Sequence, residues 1–365
     1  MNPSTTSGRA ALRRGDPLAD AALDALLTRT EGRPPGDLLA AVEAEAKAGD
    51  RACRAFVDAV SELPSWVEPA LIEHGRTLAL SLALPTGVVL LLGGLTEVYA
   101  VPAVARVLTA TGRLKTMTWR RMLETGRFIR DVHGRGGMRA GGDGFRAVVR
   151  VRLIHAMVRR RLGAAVPDEV LIDQPEMAFT LCAHSHVVRR GLATLGFRLT
   201  DHEQRAHQHL WRLVGHLMGI DPERLAPDPA AEAKLYRRLR ESLHEGDQSR
   251  ARDLVHHSVG SVAAEAHLPP TLVGTMVHRL VGSPLAEQLE VPTRRSWDRV
   301  LGGLVGVTRV FDAGRRLLPA FTRALAALGH TFADLVVAAD PGIAEPTAVA
   351  TARDCARLRP EAMNR

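Results

Sequence analysis

Apolar positions recur every three or four residues from about residue 36 to about residue 335. This spacing is typical of α-helices that bury one face, whereas the strict alternation of half-buried strands is nearly absent. Glycine- and proline-containing stretches at 133–144, 163–175 and 219–229 predict the longer loops. We therefore expect an all-α chain that forms a single large helical domain. The predicted helices cover residues 36–47, 50–62, 67–83, 88–94, 99–111, 117–132, 143–163, 175–196, 201–219, 229–245, 248–265, 269–281, 295–312 and 315–329.

The two ends of the chain differ in composition from this helical body. Residues 1–35 are rich in Ser, Gly, Arg and Pro, which predicts a flexible N-terminal segment. Residues 336–365 are rich in Ala, Pro and Arg, and we expect them to form a peripheral tail. The predicted domain therefore covers residues 36–335.

One apolar stretch is long enough to be a candidate membrane span. Residues 78–95 contain 18 uncharged residues, which just reaches the length of a membrane span. Pro85 and Gly87 interrupt the stretch, so we interpret it as two short buried helices that break at Pro-Thr-Gly. We predict no stable membrane span, and contact with a membrane surface stays open.

Composition limits the function classes. A hydrophobic content of 46% and a charged content of 24% are those of a globular protein with a sizeable core, and 4% aromatic residues predict a pocket lined by aliphatic side chains. The net charge of +8 comes almost entirely from arginine, since only three lysines occur, and no nucleic-acid-binding pattern accompanies it. We predict no nucleic-acid partner. Three cysteines without a CxxC pair predict neither a disulfide framework nor a zinc site, and favour the cytoplasm.

The helix predicted over residues 143–163 carries a lone histidine between arginines. On a helical wheel, the face within about 60° of His155 holds two of the six arginines, Arg152 and Arg159, and four apolar residues. A buried guanidinium group needs an anion, so this face suits a ligand with an apolar body, an atom that binds imidazole and two negative charges. Haem b has all three features. The apolar residues of this face are Val148, Val151, Val158 and Leu162.

An alternative interpretation of this helix stays open. Arg152 and Arg159 could instead pair with Asp or Glu residues of neighbouring helices, in which case His155 is an ordinary core histidine. The preceding helix places Arg121 and Thr125 four residues apart on one face with Phe128. A hydroxyl and a guanidinium group on an apolar stripe suit the side of a haem where dioxygen binds, but a packing helix with Arg121 in a salt bridge fits equally. The segment 198–220 opens with the capping box Thr200–Glu203 and is interpreted as scaffold.

The order and spacing of these segments resemble the haem oxygenases typified by latex clearing protein (rubber oxygenase) and by the MpaB-type oxygenase. The resemblance covers about residues 70–240, roughly half of the chain. No single one of these segments is specific to the family, whereas their order along the chain is. The matching segments are "LTEVYAVPAVARVLTATGRL" (95–114), Arg121-x-x-x-Thr125-x-x-Phe128, Arg152-x-x-His155-x-x-x-Arg159, "IDQPEMAFTL" (172–181), "LGFRLTDHEQ" and "WRLVGHLMGI".

The resemblance implies a globin-related helical core that carries haem b. It implies His155 as the iron ligand, Arg152 and Arg159 as residues that support the haem, and Arg121 and Thr125 near it. It further implies an oxidoreductase that uses dioxygen, as in the oxidative cleavage of carbon–carbon double bonds in isoprenoid chains.

Two features depart from this family. Rubber oxygenases carry a lysine where this chain has Glu124, which would either lie near the dioxygen side as a proton-transfer group or point to solvent. They are also secreted, whereas no signal is recognised here. We therefore expect a lipophilic small molecule, such as an isoprenoid or another natural product of secondary metabolism, rather than polyisoprene. Whether the reaction is cleavage or hydroxylation stays open.

Other cofactor and function classes fit less well. A thiolate-ligated haem would need a loop cysteine, but Cys182 is predicted in mid-helix. A di-iron protein would need two Glu-x-x-His pairs, and only Glu241-x-x-His244 occurs. A haem carrier or sensor without catalytic function, or a helical protein that binds its ligand without haem, stays an alternative. The remaining histidine pairs do not share a helix face and predict surface positions: His184 with His186, and His256 with His257.

Overall fold

The computed structural model describes residues 14–110, 113–338 and 363, and for residues 113–121, 319, 336 and 337 it describes the backbone only. In these residues we find α-helices, two π-helical turns and one short 3-10 turn, and no strand. The prediction of a single all-α domain is confirmed. The helices are α1 Pro17–Arg29, α2 Leu38–Lys47, α3 Arg51–Ser61, α4 Pro69–Ser81, α5 Ala83–Val89, π1 Leu90–Gly94, α6 Leu95–Tyr99, α7 Pro102–Ala110, α8 Arg113–His133, α9 Asp143–Gly163, α10 Gln174–Cys182, π2 Ala183–Val187, α11 Val188–Thr194, α12 Asp201–Leu217, α13 Pro229–Leu243, α14 Ser249–Glu265, α15 Pro270–Val281, α16 Ser283–Gln288, α17 Arg295–Leu317 and α18 Pro319–Ala338.

Side-chain caps fix where several helices begin. The predicted capping box of α12 is confirmed, because the Thr200 hydroxyl accepts from the backbone N–H of Glu203 and the Glu203 carboxylate accepts from the N–H of Thr200 at 2.8 Å. A second capping box joins Asp173 and Glu176 at the start of α10. Each cap satisfies N–H groups that have no partner within the helix, which sets the register of the residues that follow.

Three apolar clusters form the core. The first packs α1, α2 and α3 against α9 and α12, with Phe56 and Met157 fully buried. The second joins the α5–π1–α6 segment to α11, α14 and α15, and the third joins α10 to α13 through stacked Phe179 and Tyr236 rings. The helices that surround the candidate site, described below, therefore come from more than one of these clusters.

The N-terminal boundary that the composition predicts is wrong. Helix α1 begins at Pro17 with an Asp16 cap, and it buries Leu23 and Leu26 against the first cluster. The ordered body therefore starts well before residue 35, because a short amphipathic helix is concealed in a polar stretch. At the other end α18 continues to Ala338, and Met363 is buried against the first cluster. The predicted tail at residues 336–365 lies mostly outside the described residues.

The long apolar stretch breaks earlier than predicted. Helices α4 and α5 meet at Leu82 with a bend of 86°, and Pro85 and Gly87 lie within α5. Proline is tolerated there because the first N–H groups of a helix have no partner within that helix. No single described helix has the length and hydrophobicity to cross a bilayer, although α4 combined with the bent Ala83–Tyr99 segment reaches both.

One surface of the molecule is markedly apolar. Of the fifteen exposed large apolar side chains in the described part of the chain, eleven lie on α17, α18 and the turn between them. The opposite side of α17 is anchored by Arg315, which is 2% exposed and pairs with Asp312 and Glu203. We refer to the exposed side as the hairpin face. Its residues are Val300, Leu304, Val307, Val310, Phe311, Leu317, Leu318, Phe321, Leu328, Phe332 and Leu335.

Candidate functional site

A cavity of about 260 Å³ lies between α6, α7, α8, α9, α10, π2 and α12. Its walls are mostly aliphatic, as the low aromatic content predicts, and only a few polar side chains reach it. A mostly apolar cavity with a few polar groups is the usual form of a small-molecule site. The aliphatic and sulfur-containing residues are Leu95, Val98, Val104, Val107, Leu108, Met122, Ile172, Met177, Leu181, Val214, Met218 and Ile220, and the aromatic and polar ones are Tyr99, Thr125, Phe128, His155, Glu176, Thr180, His184 and Trp211.

The two π-helical turns lie against each other beside this cavity. A side chain on Gly94 in π1 would meet the carbonyl oxygen of Ala183 in π2 at 3.1 Å, so glycine permits the close approach. A π-helical turn accommodates one extra residue and shifts the face that the following residues present, and such turns are frequent at functional sites. His184 of π2 lines the cavity, while His186, two residues later, lines a different cleft.

His155 is the only residue of α9 found among the described cavity-lining residues. Burial, with a smaller contribution from the nearby positive charge of Arg159, lowers the pKa of His155 to about 4, although Asp16 opposes the shift. The imidazole is therefore neutral at pH 7. Its Nδ1 atom is buried without a hydrogen-bond partner among the described residues. A neutral imidazole in an apolar cavity with its hydrogen-bonding capacity unused is suited to binding a metal centre.

The arginines beside His155 do not face the cavity. Arg152 is bound by both carboxylate oxygens of Asp16, at 2.5 and 2.9 Å, and Arg159 donates to Asp20 at 2.8 Å. The premise that these guanidinium groups await an anionic ligand is therefore wrong, and the alternative of protein carboxylates applies. The helical wheel identified the face of α9 that holds His155, but it could not show that Asp16 and Asp20 pair with the two arginines of that face.

Loop residues hold these ion pairs in place. Gly219 has a φ of +81°, and a side chain there would lie 2.4 Å from a carboxylate oxygen of Asp16 and 2.5 Å from Nε of Arg152. Gln174 donates to the carbonyl oxygens of Gly15 and Gly219 at 3.0 and 2.9 Å. The N-terminal segment and the loop before α10 thus close together over the buried side of α9.

The structure places only one of the other predicted site residues in the wall of the cavity. Thr125 lines the cavity, whereas Glu124 is half-buried and is not among the lining residues. Leu162 is fully buried in the first apolar cluster and Val151 is half-buried, and neither reaches the cavity. Both were predicted to contact a cofactor, and the structure does not place them there. The side chain of Arg121 lies outside the described residues.

Sequence reasoning missed the histidines behind the cavity. His184 was predicted at the surface, but it is half-buried in the cavity wall, and its Nδ1 donates to the carbonyl oxygen of Thr180 at 2.8 Å. Its ring lies 4.9 Å from that of Trp211, which also has His133 at 6.0 Å and His207 at 6.4 Å. Burial lowers the pKa of all three histidines, so all are neutral at pH 7. The only sequence signal for this position of His184 was that it follows Thr180 by one helical turn, which allows its hydrogen bond to the Thr180 carbonyl oxygen.

The described residues contain no group of three or more His, Cys, Asp or Glu side chains arranged to hold a metal ion. Cys182 is buried at the end of α10, and burial raises the pKa of its thiol well above its usual range, so it is not a thiolate. A metal that needs one protein ligand, with the rest supplied by a macrocycle, fits this residue set better than a metal held by side chains alone.

Comparison with known proteins identifies the family. The family described as "ER-bound oxygenase mpaB/B'/Rubber oxygenase, catalytic domain" matches residues 81–310 of this chain. The chain belongs to this family. Rubber oxygenase of Streptomyces sp. (strain K30) is 23% identical over 320 residues, which cover 85% of this chain and 75% of that protein. The solved structure of latex clearing protein in its closed state has the same fold, with a TM-score of 0.67, 18% identity and coverage of 86% of this chain and 90% of that one.

Membership of the mpaB/rubber oxygenase family confirms the resemblance inferred from the ordered motifs, and the chain is an oxygenase enzyme. The matched segment spans α5 to α17 and includes every described residue that lines the cavity. The cavity is therefore the candidate active site of this oxygenase.

Proposed function

We propose that the cavity binds haem b with His155 as the iron ligand, and that the enzyme uses dioxygen to oxidise a lipophilic small molecule. The observation that carries this proposal is His155 itself, a neutral imidazole that reaches an aliphatic cavity and whose Nδ1 has no partner among the described residues. When bound, the haem would supply the chemistry that activates dioxygen.

The surrounding residues have separate tasks in this proposal. The aliphatic walls contact the macrocycle and substrate and exclude water. Thr125 lies in the cavity wall with a hydroxyl able to donate or accept a hydrogen bond. Arg152 and Arg159 act as positioning residues, because their pairs with Asp16 and Asp20 fix α9 and thereby the height and rotation of His155. His184 has its Nδ1–H committed to Thr180, which leaves its Nε2 as a lone-pair acceptor.

The substrate proposal rests on the apolar wall. The relatives are named for rubber and latex, and their names point to apolar substrates. The wall beside His155 is mostly aliphatic, so we propose an isoprenoid or another lipophilic natural product as the substrate. Its oxidation would be a cleavage or a hydroxylation.

Two measurements test this proposal. The purified protein, after incubation with hemin, is expected to show a Soret band at one haem per chain and a shifted band after reduction and exposure to carbon monoxide. Oxygen consumption with terpenoid alkenes, followed by mass spectrometry, is then expected to give oxygenated products. A protein that stays colourless would contradict haem binding. A haem protein that consumes no oxygen with any such alkene would contradict the proposed substrate class.

Two further expectations stay predictions: a cytoplasmic location, and contact with a membrane surface. The hairpin face supports the second, since an exposed apolar surface flanked by arginines such as Arg299, Arg316 and Arg323 is typical of interfacial binding. Co-sedimentation with phospholipid vesicles checks it. A protein that stays in the supernatant at low salt would contradict it.

A further inference from the structure

A second cleft of about 640 Å³ opens between α11, α12, α13 and α17, apart from the active-site cavity. Four arginines line it, together with one histidine, one glutamine and small or apolar residues. No aspartate or glutamate of the described chain is among its lining residues. We refer to it as the arginine cleft. Its polar lining residues are His186, Arg189, Arg190, Arg198, Gln204 and Arg309.

Two of the four arginines of the cleft already form ion pairs with glutamates. Arg189 pairs with buried Glu232, and Arg190 pairs with Glu97, which is fully buried. The Nε atom of Arg189 is nevertheless buried without a hydrogen-bond partner among the described residues, and the Arg189 side chain is only 6% exposed. One donor of this lining arginine is therefore unused within the described part of the chain.

The other two arginines have no ion-pair partner in the part of the chain that the structure describes. Neither guanidinium group, that of Arg198 or that of Arg309, has a carboxylate partner among the described residues. Asp312 accepts from the backbone N–H of Arg198 at 2.9 Å, and its carboxylate is engaged by Arg315 and Arg316. The cleft thus presents two positive charges to a ligand.

The first turn of α13 also lines the cleft, through Pro229, Ala230 and Ala233. The N-terminus of a helix carries partial positive charge, but the Asp228 cap accepts from the N–H groups of Ala230 and Ala231 and offsets that charge. The arginines are the groups that would bind.

We propose that the arginine cleft binds the phosphate group of a phosphorylated small molecule. A phosphate ester carries about two negative charges at pH 7, which matches the two arginines that have no ion-pair partner among the described residues. Planar guanidinium groups bind phosphate oxygens through two parallel hydrogen bonds, which lysine cannot do. The apolar lining beside the arginines would contact the organic part of the ligand.

The cleft adjoins the active site through one element. His186 lines the cleft and His184 lines the cavity, and both belong to π2. A ligand in the cleft would therefore contact the turn that positions His184. The binding proposal itself does not depend on haem.

Calorimetric titration of the full-length protein with inorganic pyrophosphate tests this proposal. We expect one site per chain with a Kd below about 1 mM, and binding at least about tenfold weaker for acetate at equal ionic strength. Arg198→Ala and Arg309→Ala are each expected to weaken pyrophosphate binding about tenfold. Arg198→Ala retains the backbone bond to Asp312, so circular dichroism and the Tm should change little.

The matched control is Arg299→Ala, which removes an exposed arginine of α17 that does not line the cleft. Its pyrophosphate affinity is expected to stay within about twofold of the wild-type value. The proposal is overturned if the wild-type protein does not bind pyrophosphate at millimolar concentration. It is also overturned if acetate binds as tightly, or if the control weakens binding as much as the cleft variants.

Discussion

At the scale of the residue, the sequence identified His155 correctly as a side chain with an unusual position, but for a partly incorrect reason. Its position was inferred from the charges of Arg152 and Arg159, but those charges are neutralised by Asp16 and Asp20. Carboxylates more than a hundred positions away along the chain cannot be assigned to an arginine from helical periodicity. What periodicity could establish was that the three side chains share one face of α9.

Removal of Asp16 tests the role of this ion pair in the fold. Arg152 is 5% exposed, so Asp16→Ala would leave a buried guanidinium group without its carboxylate. We expect a loss of about 3–5 kcal/mol in the free energy of unfolding, measured by urea denaturation. The double variant Asp16→Ala with Arg152→Met should recover part of this loss. A single variant as stable as the wild-type protein would show that the pair contributes nothing to folding.

At the scale of the element, helix positions followed from the apolar spacing, whereas breaks and π-helical turns did not. Residues 175–196 were predicted as one helix, but π2 interrupts it and turns His184 toward the cavity. Apolar periodicity does not distinguish a π-helical turn, because the extra residue changes the register by one position only. The bend at Leu82 was misplaced because Pro85 was assumed to break a helix, although it lies in the first turn of α5.

Close crossing of α4 and α12 depends on a glycine. A side chain on Gly75 would lie 2.4 Å from the carbonyl oxygen of Ala206, so Gly75→Ala must separate the two helices. We expect a loss of about 1–3 kcal/mol in the free energy of unfolding. Gly87→Ala is the control, since nothing lies within 4 Å of that position, and better helix propensity should stabilise the protein by about 0.5–1 kcal/mol. Equal effects of the two substitutions in denaturation experiments would contradict the tight crossing.

At the scale of the whole molecule, the all-α class and the family could be predicted, while the surfaces and the second cleft could not. The arginine cleft brings together α11, α12, α13 and α17, and no local pattern links Arg198 to Arg309. The helical wheel likewise selected Leu162, which the packed structure places in the core, and missed Trp211 and His184. Packing between distant segments decides which face of a helix meets a cavity. The local pattern of a single sequence does not reveal that packing.

Buried neutral histidines make the stability of the whole molecule depend on pH. Burial lowers the pKa of His133 to about 4 and that of His207 well below its usual value. The unfolded chain takes up protons on these groups below about pH 6.5 and the folded chain does not, so stability falls as pH falls from about 6.5 toward 4. We expect His133 alone to account for about 3 kcal/mol at the lower limit. Urea midpoints at several pH values check this, and His133→Phe should make the dependence shallower. A pH-independent midpoint in this range would contradict it.

The central claim is that the imidazole of His155 holds an iron porphyrin in the cavity. The most direct measurement is haem stoichiometry, from the Soret band and bound iron, in His155→Ala beside His133→Ala, a second buried histidine that does not line the cavity. We predict that the first variant keeps its helical circular dichroism but loses the Soret band, and that the second retains about one haem per chain. A His155→Ala protein with full haem content would contradict this account.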